Sequence, residues 1–312
     1  HKKPMPLLGG LAIIAGFVVS VVYAFASRNL RQFLDYLKKP GSLGLIFGTL
    51  IIVVLGIVDD IKVLRAGTKF IFQLVAALIV VATGTSITSI TLPFTSGDHT
   101  GMTYILGETI AFIISILWIV GITNAINLID GLDGLAAGVS GIASITLFIV
   151  AVIRRQDDIA LIAASLAGAI FGFLPYNFNP AKIFMGDTGS TFLGFILAVL
   201  SIEGTMKSVT TLALAIPILV LGLPIFDTLF AILRRIANGR PISEADRGHI
   251  HHRLIDMGLS HRMSVVILYI ISGALGLLSI VLVDKGILQS IILLIIIVVF
   301  LIGGARNIPE MN

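Results

Sequence analysis

The chain has 312 residues, 57% of them hydrophobic and 12% charged, with a net charge of +4 and a mean hydropathy of +1.07. A soluble domain carries about twice that charged fraction, so the composition excludes an ordinary water-soluble enzyme and fits a polytopic membrane protein. The lack of cysteine excludes disulfides and thiolate metal sites, and so small a positive charge points to membrane-flanking loops rather than to nucleic acid.

A spanning helix needs about 20 mostly apolar residues. Runs of that kind lie at 8–27, 42–60, 67–84, 104–124, 135–153, 158–175, 188–203, 209–233, 263–283 and 286–303. The expected class is all-α, with about ten transmembrane helices in one integral membrane domain over 1–312. Between the first two runs, Leu30, Phe33, Leu34 and Leu37 recur at helical spacing, which predicts a short helix lying in the membrane interface. After the third run, residues 85–103 alternate loosely, as in Ile90-Thr-Leu92-Pro-Phe94, and predict a small hairpin.

Placing residue 1 in the cytosol tests the topology. Arg28, Arg31, Lys38, Lys39, Arg154, Arg155, Lys207 and Lys285 then fall outside, and the other 13 of the 21 basic residues fall inside. The positive-inside rule favours this orientation, with both termini cytosolic.

Three acidic clusters end on that same cytosolic face. Asp59-Asp60 closes the second run, where a negative helix dipole makes a carboxylate pair costly without a nearby cation. Asn127-Leu-Ile-Asp130-Gly-Leu-Asp133-Gly precedes the fifth. One aspartate there would serve as a helix cap, but the segment offers several polar side chains where a cap needs one. Phe184-Met-Gly-Asp187-Thr-Gly-Ser190 opens the seventh, where free backbone N–H groups bind phosphate, Asp187 binds Mg²⁺, or the same residues simply cap the helix. A loop at 234–262 adds His249-Ile-His251-His252-Arg253, a run suited to phosphate or sugar contacts or to a metal. The oxygen-rich clusters favour Mg²⁺, or Mn²⁺, over zinc.

These motifs in this order resemble the polyprenyl-phosphate N-acetylhexosamine-1-phosphate transferases. The resemblance runs through His1-Lys-Lys-Pro-Met-Pro-Leu-Leu-Gly-Gly10, Asp59-Asp60, Lys69-Phe70, Asn124 to Gly134, Asn177, Phe184 to Ser190, Pro224-Ile-Phe-Asp227-Thr and His249 to Leu254. The histidine run looks more like the GlcNAc-1-phosphate branch than the related phospho-MurNAc-pentapeptide transferases. Relatives in that branch carry eleven spans, and the stretch at His1 matches their first cytosolic loop, so a helix is expected to precede residue 1.

The resemblance implies transfer of a sugar 1-phosphate from a UDP-sugar, here UDP-GlcNAc, to undecaprenyl phosphate, with release of UMP at the cytosolic face of the membrane. The partners are the UDP-sugar, the lipid and the bilayer, with a homodimer as a further candidate. Asp187 is the implied metal ligand, with Asp130 second and Lys69 meeting phosphate charge. Asn127, Asp133, Asn177 and Phe184 belong to substrate binding, with Phe184 stacking on uracil. Asp59 and Asp60 meet the lipid phosphate. His249, His251, His252 and Arg253 close over the sugar and diphosphate. Asp227 either lines the groove or pairs with Arg234. A phosphate already ionised at neutral pH favours direct attack over an aspartyl-phosphate intermediate. An ion-coupled transporter is the rival class, but it would place its acids near the bilayer midplane, often within inverted repeats.

Overall fold

A computed structural model describes residues 5–92, 102–206, 214–239, 241 and 248–284. The last expected span, 286–303, lies outside the described residues. Among them, seven helices are long and apolar enough to cross a membrane, and the chain is a polytopic helical membrane protein.

Helix α1 (Gly9–Leu37) contains both the first span and the expected interfacial helix. The two pieces meet at Asn29, whose extended backbone (φ −166°, ψ 109°) breaks the helical path. Its Oδ1 accepts the Arg31 N–H at 3.0 Å, so it caps the second piece as asparagine does at a helix start. Helix α2 (Pro40–Lys62) begins on a proline, whose missing N–H costs nothing in a first turn. Helices α3 (Ala66–Ala82), α4 (Glu108–Leu128), α5 (Leu135–Ile153) and α6 (Asp157–Asn177) follow the apolar pattern closely. The expected hairpin forms between α3 and α4, with β1 (Ser89–Leu92) antiparallel to β2 (Met102–Ile105) and Ser89 opposite Ile105. It is the one departure from an all-α architecture among the described residues.

Helix α7 (Gly186–Ser201) continues into a π-helical turn at Ile202–Met206. It packs against α1, α2, α4 and α5 and is the centre of the bundle. Of its spanning window 94% is buried, against 28% for α1. Phe192 and Phe195 are fully buried on it, whereas Val19, Leu50 and Leu117 on the outer helices are exposed and suit a lipid surround. Buried hydroxyls on the spans turn back onto their own helices, as Thr123 and Ser144 do to the carbonyls of Ile119 and Ser140. That pairs these two hydroxyls in a medium without water.

The single span expected at 209–233 is corrected. Its described part is two short helices, α8 (Ala215–Val220) and α9 (Gly222–Ala237), meeting at Leu221. Pro224, in the first turn of α9, lacks the N–H that would bond back toward Val220, and Gly222 adds freedom at the joint. Helix α10 (Ile250–Asp256) and helix α11 (His261–Asp284) complete the described chain.

Candidate active site

The ends of α2 and α4, the start of α7 and the loop before α5 converge on one pocket of about 470 Å³. It is lined by Asp59, Asp60, Asp130, Asp133 and Asp187 and, among the described residues, by one basic side chain, Lys69. The expectation that the three acidic clusters share one end of the bundle is therefore met by the geometry.

The two aspartates of α2 have different tasks. Asp59 is 3% exposed, and its Oδ1 accepts the Leu64 N–H at 2.6 Å just past the helix end. Its Oδ2 lies 2.8 Å from the Lys69 ammonium. Asp60 reaches across to α7, where Oδ1 accepts the Asp187 N–H at 2.7 Å and Oδ2 accepts both the Thr188 N–H and hydroxyl. A carboxylate from another helix thus caps α7, whose own N-cap residue, Met185, offers no such group. Gly186 (φ +67°) permits this approach, since a Cβ there would lie 2.6 Å from Asp60 Oδ2. The expected phosphate site on these first N–H groups is corrected: the groups at 187 and 188 are already bonded to Asp60.

Asp187 is held from two sides. Asn127 Nδ2 donates to its Oδ1 at 2.5 Å and to Ser190 Oγ at 2.8 Å, while Lys69 Nζ donates to its Oδ2 at 3.2 Å. Lys69 therefore bridges α2 and α7. Asp130 lines the same pocket, and no described residue hydrogen-bonds its carboxylate. Burial, and then the charges of Asp187, Asp60 and Asp133, push its pKa up to about 7. No group of three or more ligating side chains converges as a closed metal cage among the described residues. Mg²⁺ does not require one, because it is commonly held by one or two carboxylates with waters and substrate phosphates completing the shell.

Asp133 lines the pocket, and its Oδ2 accepts from Asn179 Nδ2 and the Ala181 N–H, each at 3.0 Å. Asn177 lies behind the pocket, 2% exposed. Its Oδ1 accepts the Gly134 N–H and its Nδ2 donates to the Ile183 carbonyl, so it joins the loop before α5 to the segment before α7. Tyr269 on α11 pins the same turn by donating to the Gly134 carbonyl. Phe184 faces the pocket, and its backbone pairs with the start of the chain. Phe184 N–H donates to Pro6 O, Gly9 N–H to Phe184 O and Gly10 N–H to Met185 O. Leu7 thereby becomes part of the wall, a contribution that nothing in its own sequence context signals.

The histidine segment adjoins the pocket without lining it. His249 is 5% exposed, and its Nδ1 lies 2.8 Å from Asp227 Oδ2. The other Asp227 oxygen accepts the Ile250 N–H at 2.7 Å, so Asp227 fixes the start of α10. This corrects both expected roles: Asp227 does not line the acidic pocket, and its partners are His249 and Ile250 rather than Arg234. His251 stacks on His249 and its Nε2, without a hydrogen-bond partner among the described residues, faces Gly131. A Cβ on Gly131 would lie 2.4 Å from that nitrogen, so the contact requires glycine. Burial, and then neighbouring His252, bring the His251 pKa down to about 4. The ring is neutral at pH 7. His252 packs at the side of His251, and Arg253 is exposed beyond it.

A second cavity, of about 580 Å³, opens at the opposite ends of the same helices and is lined in part by Tyr36, Lys39, Arg155, Asp157, Asp158 and Glu203.

The model of glycosyl transferase family 4 matches residues 42–205, the stretch that holds Asp59 through Asp187. A probable undecaprenyl-phosphate N-acetylglucosaminyl 1-phosphate transferase of Bacillus subtilis is 45% identical over 96% of this chain and 80% of its own length. A decaprenyl-phosphate N-acetylglucosaminephosphotransferase of Mycolicibacterium smegmatis is 34% identical over 99% of this chain and 81% of its own. A phospho-N-acetylmuramoyl-pentapeptide-transferase of Streptococcus agalactiae is 35% identical but covers 64% of this chain. The chain belongs to glycosyl transferase family 4, among the polyprenyl-phosphate N-acetylhexosamine-1-phosphate transferases.

Proposed function

We propose that the protein transfers GlcNAc 1-phosphate from UDP-GlcNAc to undecaprenyl phosphate, giving the lipid diphosphate sugar and UMP, as the first membrane step of a cell-wall polymer. The observation that carries this reading is the gathering of five aspartates and Lys69 around one pocket at the capped end of α7. The names of the relatives at 45% and 34% identity supply the donor and acceptor classes. The acids lie at helix ends and not midway along the spans, which counts against the ion-coupled transporter. The GlcNAc branch is favoured over the MurNAc-pentapeptide branch by the extent of the match.

In this reading an oxygen of the lipid phosphate attacks the β-phosphorus of the donor. The bond from that phosphorus to the bridging oxygen breaks, and the bridging oxygen leaves with UMP. The obstacle is the meeting of two anions. Asp187 and Asp130 would hold Mg²⁺, with Mn²⁺ as the alternative, and the metal would neutralise the diphosphate and the leaving group. Lys69 is close enough to Asp187 to transfer its ammonium to a phosphate bound there. Asp133 and Phe184 offer a hydrogen-bond acceptor and a ring face to uridine, on a loop braced by Asn177. Asp60 is committed to the cap of α7, so Asp59 and Lys69 are left to position the lipid phosphate. His251 stands against Gly131, where the sugar end of the donor would project, with His249 and His252 packed on it and Arg253 exposed on the same segment.

Ten spans and a cytosol-facing pocket complete the proposal, supported by the positive-inside bias and the shared face of the acids. A homodimer is included in it, with crosslinking in the membrane as its check. The deciding assay is UMP formation by the purified protein given UDP-GlcNAc, undecaprenyl phosphate and Mg²⁺. Activity with all three and none when the lipid is omitted is the expected result. Ion flux in liposomes without UMP release would reject it.

A further inference from the structure

We propose that the Lys69 ammonium is a resident counter-ion that holds a divalent cation out of the acidic pocket until a diphosphate draws it away. Donor and metal then bind with positive coupling. This rests on the transferase reading above.

Lys69 extends from α3 into a pocket whose other charged walls, among the described residues, are all carboxylates. Its Nζ lies 2.8 Å from Asp59 Oδ2 and 3.2 Å from Asp187 Oδ2, between side chains delivered by two helices that meet at this end. Carboxylates so close together repel unless something positive lies near both. In the ligand-free protein that positive group is the ammonium. Its two partners are hard oxygen donors of the kind Mg²⁺ takes, and Asp187 is the metal ligand of the proposed function. A divalent ion entering there meets a like charge at contact distance and must displace it.

Lys69 is free to leave. It is 26% exposed and carries its charge on a flexible four-carbon stem, unlike the rigid fork of arginine. A diphosphate at the pocket offers it a denser negative charge than a carboxylate does. When the ammonium moves to phosphate, Asp59 and Asp187 lose their counter-charge together, and the cation takes its place. Linkage then requires that each ligand raise the affinity for the other by the same factor. Lys69 acts here by occupying a place and vacating it, a role distinct from any contact it makes during phosphoryl transfer.

The test uses Mn²⁺ as an electron-paramagnetic probe, titrated with purified full chain in detergent, with and without UDP. UDP supplies the diphosphate but cannot turn over. The wild type is expected to bind Mn²⁺ weakly alone and at least about tenfold more tightly with UDP, after correction for Mn²⁺–UDP pairing in solution. Lys69→Gln is expected to bind Mn²⁺ alone at least about tenfold more tightly than wild type and to gain less than about twofold from UDP. Lys69→Arg, which keeps the charge, should bind Mn²⁺ alone as weakly as wild type. Melting curves check folding, and Lys69→Met replaces the glutamine variant if that one fails to fold. Mn²⁺ affinity in Lys69→Gln no higher than in wild type overturns the proposal. Protein that binds Mn²⁺ but not UDP overturns the donor reading instead, and the comparison of Lys69→Gln with wild type still decides the counter-ion.

Discussion

The two ends of the bundle each place carboxylates beside a cavity, yet they are built on different principles. At one end, Asp157, Asp158 and Glu203 line about 580 Å³ together with Lys39 and Arg155. The ion pair there, Arg28 with Asp157, is 3.8 Å long with both side chains more than half exposed, and such pairs contribute little. At the other end the cavity is smaller, about 470 Å³, but its acids are tied to partners far away in sequence. Asp60 bonds to Thr188, Lys69 to Asp187 and Asn127 to Asp187. Cavity size therefore misleads about where the chemistry lies. The informative difference is that the acidic pocket sets five carboxylates against one ammonium among the described residues and ties them across helices, whereas the opposite end mixes acids with bases, Glu203 accepting from the Thr85 hydroxyl and the Arg28–Asp157 pair staying exposed.

That contrast breaks if substitutions at the two ends have similar effects. The largest loss is expected from Asp187→Asn, which should lower UMP release by about a thousandfold or more, as removal of a key electrostatic group does. Retained turnover would remove Asp187 from the metal site. Next, Asp60→Ala should destabilise the protein by about 1–2 kcal/mol, the size of a lost helix cap, and lower activity with it. Denaturant melts in detergent provide the check, and an unchanged midpoint would deny the cap.

A pH series sharpens the comparison further. Burial keeps His251 neutral down to about 4, whereas in the unfolded chain it takes a proton near 6.5. Between these values the unfolded state binds more protons, so stability should fall as pH drops from about 6.5 to about 4. Melting temperatures of wild type and His251→Gln across that window test it, the variant showing the shallower slope. The smallest effect is expected at the opposite end, where Glu203→Gln and Asp158→Asn should change UMP release by less than about twofold, since both lie away from the acidic pocket.

Much of this was legible in the sequence. Apolar runs located α5 at its observed limits and placed the hairpin before α4, because burial in lipid leaves few alternatives to a helix. Counting crossings put the three acidic clusters at one end. What composition and periodicity cannot supply is who bonds to whom across the bundle. Asp60 and Thr188 are 128 residues apart, and no local pattern distinguishes a cap donated by another helix from a free carboxylate. The same holds for Asp227, whose partners at 249 and 250 lie beyond a loop. The break at Leu221 had a local signal in Gly222 and Pro224, overridden by the continuous apolarity of 209–233.

The pairing of residues 6–10 with 184–185 bears on how the protein is made. Leu7 leaves the ribosome before its partner segment, which follows nearly 180 residues later, with six helices inserted in between. No shorter nascent chain can form this wall of the pocket. Translation must reach α7 before any substrate can be held, so chains cut short of Phe184 would enter the membrane without acquiring an active site.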